Sequence, residues 1–355
     1  DVPVEKVSVQ LRVIPVSISD TAYRNVDQTF EQISYVVLSD NVVIGEIVRT
    51  LVSDERIFIL DNQNKLFCFD MQGKVEYVID EHGSGPNEYG NVLDFALNPP
   101  LKMLWMYDST RRKLHCYDMY TGKRRQSISA AYMAPERMAI WNGSFFFFMG
   151  DHYNYPDNPE MHYSLFCSLS GAKIDKSFFP HDRTSEFRFS YGKEHPFYYN
   201  NDKLYFIKDY ETVVYQLTSE SVTPVYKVEL PDSLPLDVLM EVTPSLKLMQ
   251  TRYSWLLSNA YEADGFLNLW FQKQGSCYAV YYDLLKDKLI YAGKQVNNHP
   301  VKDLLFISQI HGVYKDMFFS VVPSFVIQYK ISENPDVFPD DLKNLTEESN
   351  PIIGF

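Results

Sequence analysis

No stretch of this chain approaches the ~18 consecutive apolar residues of a membrane-spanning helix, so no transmembrane segment is expected. Positive charge is also scarce. The 33 Lys and Arg stand against 46 Asp and Glu, a formal net charge of −13. Phosphate backbones are bound by clustered Lys and Arg, so this balance argues against nucleic acid and against a general anionic membrane surface. No Gly-x-Ser-x-Gly elbow and no Ser-x-Asp-x-Gly-x-Thr-Trp box occurs. The stretch Gly83-Ser84-Gly85-Pro86-Asn87-Glu88-Tyr89 has the glycines of a phosphate loop but lacks its Lys-Ser/Thr pair and a following helix. Its glycines are read as allowing a tight turn. No catalytic residue is assigned and no cofactor is called for. The opening Asp1-Val2-Pro3-Val4-Glu5-Lys6 is polar and carries no signal-peptide pattern. It is read as a cytosolic start, or as the result of removing a targeting segment.

Aromatic residues, by contrast, are abundant at 15% of the chain, with 26 Tyr and 24 Phe. Flat, stiff side chains suit a pleated, half-buried surface, which favours strands. One pattern is written twice. Ile57-Phe58-Ile59-Leu60-Asp61 leads to Leu66-Phe67-Cys68-Phe69-Asp70-Met71-Gln72-Gly73-Lys74. About 48 residues later, Met103-Leu104-Trp105-Met106-Tyr107-Asp108 leads to Leu114-His115-Cys116-Tyr117-Asp118, with Gly122-Lys123 closing the match. A period of roughly 40 to 50 residues, built of short apolar strands and polar turns, marks a β-propeller blade.

Four-strand units are expected over 47–79, 92–128, 137–178, 196–230 and 255–292, with a partly helical excursion over 234–252. A sixth unit would start with strands at 304–309 and 317–322. Its third strand is placed at 351–355 rather than 325–329, and Ile33–Leu38 is its outer strand. Joining the two chain ends in one blade removes two exposed sheet edges. The predicted fold is therefore all-β, a six-bladed β-propeller of four-stranded antiparallel blades whose last blade is closed by an N-terminal strand. Residues 1–30 form an arm and 31–355 the propeller. The run Phe145–Phe148 is read as a strand packed on both faces. Cys68, Cys116 and Cys167 fall in the same slot of successive units, ~10 Å apart if blades stack like sheets. That exceeds the ~7 Å Cα limit for a disulfide, so they are expected to be free and buried.

The opener Ile33–Ser39 with Ile44-Gly45-Glu46-Ile47, the repeat over 57–74, and the Gly83–Tyr89 junction together resemble the six-bladed β-propeller proteins abundant in Bacteroidetes, distant relatives of NHL-repeat propellers. Asn87 stands where that pattern has glycine, and Asn also tolerates positive φ. The resemblance implies a cell-envelope location, periplasmic or as an outer-membrane lipoprotein, with a lipid anchor upstream of this chain. It implies no established chemistry.

Long connections are expected to cluster on one face: 80–90, 150–162, 180–195, 230–254 and 293–303. They mix aromatic and polar side chains, which suits a glycan, a peptide or a protein partner. The candidate ligand-binding residues are His152, Tyr153, Tyr155, Arg183, Arg188, Tyr191, Arg252 and Tyr253. Four of the eight histidines, His82, His181, His195 and His299, fall in the same loops. They carry the alternative reading, a metal-dependent, lactonase-like hydrolase or lyase at the channel mouth, with Asp182, Glu88 or Glu194 as base. The leading expectation is a monomeric, non-catalytic binding or scaffolding propeller without a resident metal.

Overall fold

Six sheets of four antiparallel strands form the ring of a six-bladed β-propeller, as the repeat predicts. The computed structural model describes residues 11–19, 34–131, 133–150, 162–180, 195–235, 238, 252–294, 310–333, 338 and 340–355. A short strand β1 (Arg12–Pro15) and another, β2 (Tyr35–Val37), precede the regular blades. Blade 1 is β3 (Ile47–Ser53), β4 (Arg56–Asp61), β5 (Leu66–Asp70) and β6 (Val75–Ile79). Blade 2 is β7 (Val92–Asn98), β8 (Met103–Asp108), β9 (Lys113–Asp118) and β10 (Arg124–Ser129). Blade 3 is β11 (Arg137–Trp141), β12 (Ser144–Phe148), β13 (Tyr163–Ser168) and β14 (Lys176–Pro180). Blade 4 is β15 (Phe197–Asn200), β16 (Lys203–Phe206), β17 (Val213–Leu217) and β18 (Val222–Glu229). Blade 5 is β19 (Ser254–Ala263), β20 (Phe266–Lys273), β21 (Ser276–Asp283) and β22 (Lys288–Lys294). Blade 6 contains β23 (Ile310–Tyr314), β24 (Met317–Val322) and β25 (Ile352–Gly354), with β2 as its outer strand.

Ring closure follows the expectation. Antiparallel pairing sets Tyr35 opposite Gly354 and Val37 opposite Ile352. The stretch 325–329, the rejected candidate for the third strand, lies in a helix, α1 (Ser324–Glu333), which packs with a short α2 (Asp340–Lys343) through Ile327, Ile331 and Leu342. Two details differ from the sequence reading. The first strand of blade 6 is β23 at Ile310–Tyr314, while 304–309 lies outside the described residues. Gly312 weakens the strand signal there. The ring of Phe319 occupies the place of its missing side chain, 2.2 Å from where a Cβ would sit. The β23–β24 turn is Lys315-Asp316, both at positive φ (48° and 58°), without the Asn-Gly or Asp-Gly that marks a two-residue hairpin. The second difference is that blade 4 has a fifth strand. β1 runs parallel to β18, Arg12 opposite Tyr226 and Pro15 opposite Glu229.

The core lies between blades, and period-2 alternation builds it. Phe58 and Leu60 of β4 face blade 2, packing with Phe95, Leu104 and Met106. Ile57 and Ile59 of the same strand face blade 6, against Phe319, Val321 and Ile353. The four phenylalanines of β12 divide likewise. Phe145 and Phe147 pack on blade 2 with Trp105, while Phe146 and Phe148 pack on blade 4 with Phe197 and Phe206. A strand buried on both faces must be apolar at every position, which is why this run shows no alternation.

The repeated aspartates hold turns. Asp61 Oδ1 accepts from the N–H of Gln63 and Lys65 (3.0 and 2.9 Å), and Asp70 Oδ1 from Gln72 and Lys74 (2.9 and 2.8 Å). Asp118 does the same for Tyr120 and Thr121. Asp61 and Asp108 also reach back to the start of their own blade, accepting from Gly45 N (3.1 Å) and Gly90 N (2.9 Å). A side chain would be crowded at both places, more so at Gly90, where it would meet the Cβ of Thr110, than at Gly45, where it would meet the movable end of Asn62. A Cβ would lie 2.7 Å from the Asn62 side chain at Gly45, and 2.7 Å from that of Thr110 at Gly90. Cys68, Cys116 and Cys167 are buried and free, and burial pushes the Cys68 thiol up to about 12 and the other two to about 11. Such thiols stay protonated and unreactive at neutral pH.

Candidate functional site

The six innermost strands surround an axial cavity of about 1570 Å³. Gly45, Glu46 and His195 line it at the end where one blade hands over to the next. Asp54, Pro99, Asn142, Asn201 and Lys315, from the turns between first and second strands, line the opposite, lower end. At this lower end Glu55 of blade 1 pairs with Lys315 of blade 6, and Asn201 of blade 4 donates to Asp316 of blade 6.

A buried ionic network stands beside the cavity. In β3 and β7 the ladder register slips once, between Ile47 and Arg49 and between Val92 and Asp94. Bulges of this kind re-aim side chains, and here they bring two equivalent residues of neighbouring blades together. Arg49 Nη1 is 2.7 Å from Asp94 Oδ1, and it also donates to the carbonyls of Phe95 (2.5 Å) and Met138 (3.1 Å). Asp94 Oδ1 accepts from Phe95 N (2.9 Å), while Oδ2 accepts from Met138 N (2.6 Å) and His195 Nε2 (2.9 Å). His195 Nδ1 lies 3.2 Å from both the N–H and the carbonyl of Phe197, and the carboxylate acceptor 2.9 Å from Nε2 places the proton of the neutral ring on Nε2. Four blades are thereby tied at one carboxylate.

Burial and the Arg49 charge push His195 down to about 4, against the upward pull of Asp94. Burial alone would raise the Asp94 carboxyl. Arg49 and His195 outweigh it and hold the group well below the usual carboxylate range. At neutral pH the network is therefore one cation, one anion and a neutral imidazole, tied to the backbone through Arg49 Nη1 and both oxygens of Asp94.

The rest of the wall is mixed, with Glu46, Asp54, Glu55, Arg137, Lys315 and Glu347 lining it beside aromatic rings and amides. Tyr199 accepts from Ile140 N through its hydroxyl (2.9 Å) and lies under the Arg49 guanidinium at 5.7 Å. Trp141 sits beside it, ring centroids 6.3 Å apart. Thr50 Oγ1 is buried with no hydrogen-bond partner among the described residues. Asn98 is 5% exposed, and its side chain does not cap the short 3-10 helix Pro99–Leu101 that follows it.

Of the residues singled out from sequence, His152, Tyr153, Tyr155, Arg183, Arg188 and Tyr191 lie outside the described residues, as do His181 and His299. Arg252 and Tyr253 directly precede β19, the guanidinium 5.2 Å from the ring centroid. His195 is at the axis, whereas His82 is exposed in the β6–β7 link against Tyr89, with ring centroids 6.4 Å apart. Among the described residues, no group of three or more His, Cys, Asp and Glu side chains is placed to hold a metal ion. Glu88 instead caps its own turn, accepting from Gly85 N at 2.6 Å. Buried Tyr89 completes this junction, its hydroxyl donating to Asn64 O at 2.8 Å. Arg49, Asp94, Asn98 and Trp141 were not singled out. The available signal was a charged residue at the third position of two otherwise apolar first strands.

A model of a domain of unknown function, DUF4934, matches residues 11–355. The chain belongs to the DUF4934 family. No curated protein matches it. Among solved structures, this DUF4934 chain is similar to a protein of Bacteroides fragilis that carries a provisional designation as exported. The TM-score is 0.79 at 16% identity, covering 98% of this chain and 99% of the other. It is also similar to a member of the DUF4221 family from Bacteroides vulgatus, with a TM-score of 0.52 at 11% identity, covering 91% and 95% of the two chains. At these identities the likeness is one of fold. No helix among the described residues of the DUF4934 chain is long and apolar enough to cross a membrane.

Proposed function

We propose that this DUF4934 propeller is a non-catalytic binding or scaffolding module of the cell envelope. It recognises a glycan, peptide or protein partner through its axial cavity and the loop face above it. The observation that carries the reading is the cavity wall. Its buried charges at Arg49, Asp94 and His195 engage one another, and around them aromatic rings, amides and hydroxyls alternate with charged groups such as Glu46, Arg137 and Lys315. A concave, largely preformed site with a few placed polar groups is the usual form of a recognition site. An extracytoplasmic location draws support from the exported designation of the B. fragilis structure. The NHL-like kinship and the lipid anchor rest on the sequence resemblance alone.

The reading is tested by thermal-shift screening of envelope glycans and peptides, followed by photo-crosslinking of any hit. A ligand that binds only the native state raises its stability by about 2.7 kcal/mol at a hundredfold excess over Kd. Crosslinks are expected at cavity residues such as Asn142 or Trp141, or in the loops at 151–161 and 181–194. Crosslinks confined to the outer strands β6, β10 and β14 would remove the proposal.

A further inference from the structure

We infer that the edge of the Arg49 guanidinium that Asp94 leaves free, together with the Tyr199 hydroxyl, is a subsite for a single carboxylate group of a ligand, an inference that rests on the binding reading above. Arg49 is 8% exposed and lines the cavity. Its Nη1 serves Asp94 Oδ1 and the carbonyls of Phe95 and Met138. Nε and Nη2 carry the remaining N–H groups. They make no hydrogen bond among the described residues, and neither is among the polar atoms sealed from solvent without a partner, so both stay open to the cavity. Tyr199, also in the lining, stands next to this edge with its ring centroid 5.7 Å from the guanidinium carbon. Its oxygen accepts from Ile140 N at 2.9 Å. Burial keeps the hydroxyl protonated even against the Arg49 charge, so its own proton is there to give.

A cation buried this far with idle N–H groups calls for an explanation. A carboxylate supplies it. The Nε and Nη2 donors lie side by side and can meet both oxygens of one carboxylate, and the phenol can donate to one of the same oxygens. Every unspent group here is a donor, so a group that only accepts fits better than a sugar hydroxyl, which would bring a proton with no acceptor opposite. Asp94 offsets the charge of Arg49, which makes a second cation important. Behind burial and Arg49, the charge of Arg137 bears on both Asp94 and His195, and Arg137 lines the cavity too. With His195 neutral, two cations against one carboxylate leave one positive charge for the ligand to neutralise. Arg49 reaches from blade 1 to groups of blades 2, 3 and 4. The acids of the lining belong to other sectors. Asp54 and Glu55 stand at the lower mouth, taken up by Tyr120 and Lys315. Glu46 opens blade 1 within 3.3 Å of the Asn62 amide, and Glu347 is exposed on blade 6. These acids select against a ligand with several carboxylates, since only one can reach the guanidinium and the rest would face like charge.

The intact protein is screened by thermal shift, and hits are titrated by calorimetry. The panel is a set of short peptides with free C-terminal carboxylates, the same peptides amidated, xylo-oligosaccharides with and without one terminal uronic acid, and oligogalacturonate. Saturable binding is expected in the free-acid peptide arm or the single-uronate arm, and the arm that responds names the source of the carboxylate. The amidated or uncharged counterpart should bind at least tenfold more weakly, as expected for hydrogen bonds to a charged group. Oligogalacturonate should bind more weakly than the single-acid ligand. Arg49→Lys keeps a cation for Asp94 but removes the forked edge, and should weaken binding at least tenfold. Tyr199→Phe and Arg137→Gln should each weaken it severalfold, at melting temperatures that show the fold retained. If Arg49→Lys fails to fold, Tyr199→Phe carries the test, because it leaves the Arg49–Asp94 pair in place. Amidated or uncharged ligands that bind as tightly as the acids, oligogalacturonate that binds tightest, or acid binding that the folded variants leave unchanged overturns the carboxylate subsite while the binding reading stands. Binding of nothing in the panel overturns both.

Discussion

The joint between blades 1 and 2 and the joint between blades 6 and 1 bring equivalent strands together by different means. At the first, neighbouring units carry matching devices. Arg49 and Asp94 occupy the same slot and meet at 2.7 Å, and Asp61 and Asp108 each pin the start of their own blade. At the second, residues some 310 positions apart must meet, and besides the packing of the two blades one side chain, Asn350, makes several clamping bonds. Asn350 Nδ2 donates to Ser39 O (2.8 Å) and Val42 O (2.7 Å), its Oδ1 accepts from Ile44 N (3.2 Å), and its own N–H donates to Asp40 Oδ1 (2.7 Å). A joint between sequence neighbours closes a short loop. The closing joint constrains almost the whole chain, whose entropic cost grows only slowly with length. The ring therefore puts buried charge where order is cheap and neutral amide contacts where the ends meet.

The largest expected effect breaks the ionic joint. Asp94→Ala leaves Arg49 buried without its anion and orphans the N–H of Met138, so a loss of about 3–5 kcal/mol is expected in urea unfolding. The double variant Arg49→Met/Asp94→Leu sharpens the comparison. Removing both charges should recover most of that loss, because a buried pair often contributes little net stability over apolar packing. A single-variant loss under about 1 kcal/mol would show that the joint does not depend on this pair. Next comes the closing joint. Asn350→Ala removes three side-chain hydrogen bonds and should cost about 2 kcal/mol. Amide exchange should then accelerate first in β2 and β25, with β4 and β8 still protected. Uniform acceleration across all blades would mean that closure is not a separate weak point.

What could be read beforehand follows the same division. Blades 1 and 2 were legible because strands, turn aspartates and Cys68 and Cys116 recur at one spacing, and local signals there agree with the fold. The closing strand Ile33–Leu38 was legible as a good strand with no partner nearby. The axial network was not legible. It needs two bulges that no turn residue announces, and a histidine 101 positions from its carboxylate partner. The first strand of blade 6 was misplaced because Gly312 and the Lys315-Asp316 turn mute the usual marks. Of the eight loop residues proposed for binding, only Arg252 and Tyr253 fall among the described residues. The aromatic and amide wall arises from strand ends that no single stretch displays.

The next prediction reads the ionic joint through pH. His195 is neutral in the folded protein down to about 4, while an unfolded histidine takes up its proton near 6.5. Between those values the unfolded state binds more protons, so stability is full above about pH 6.5 and falls as pH drops towards 4. Asp94, held low, adds a further loss once pH passes below about 3.9, the unfolded carboxylate value. Urea midpoints from pH 7 to 4.5 should therefore decline, and His195→Gln should flatten the decline. It should not abolish it, because burial also lowers His115. A variant with the wild-type slope would place the titration elsewhere.

The smallest effect belongs to the arm. Arg12 holds β1 to blade 5 by donating to Asp287 (2.6 Å) and to Leu284 O (2.7 Å), but the two charged side chains are 32% and 70% exposed. Exposed pairs are screened and typically contribute about 0.2–1 kcal/mol. Arg12→Ala should accordingly shift the urea midpoint within that range, and high salt should erase most of the difference. The backbone ladder from Arg12 to Pro15 and the burial of Ile14 remain in the variant, so β1 should stay protected from amide exchange. If β1 instead detaches while blade 4 keeps its other four strands, the fifth strand is held by this surface pair, and the arm joins the ring as weakly as the ionic joint binds it strongly.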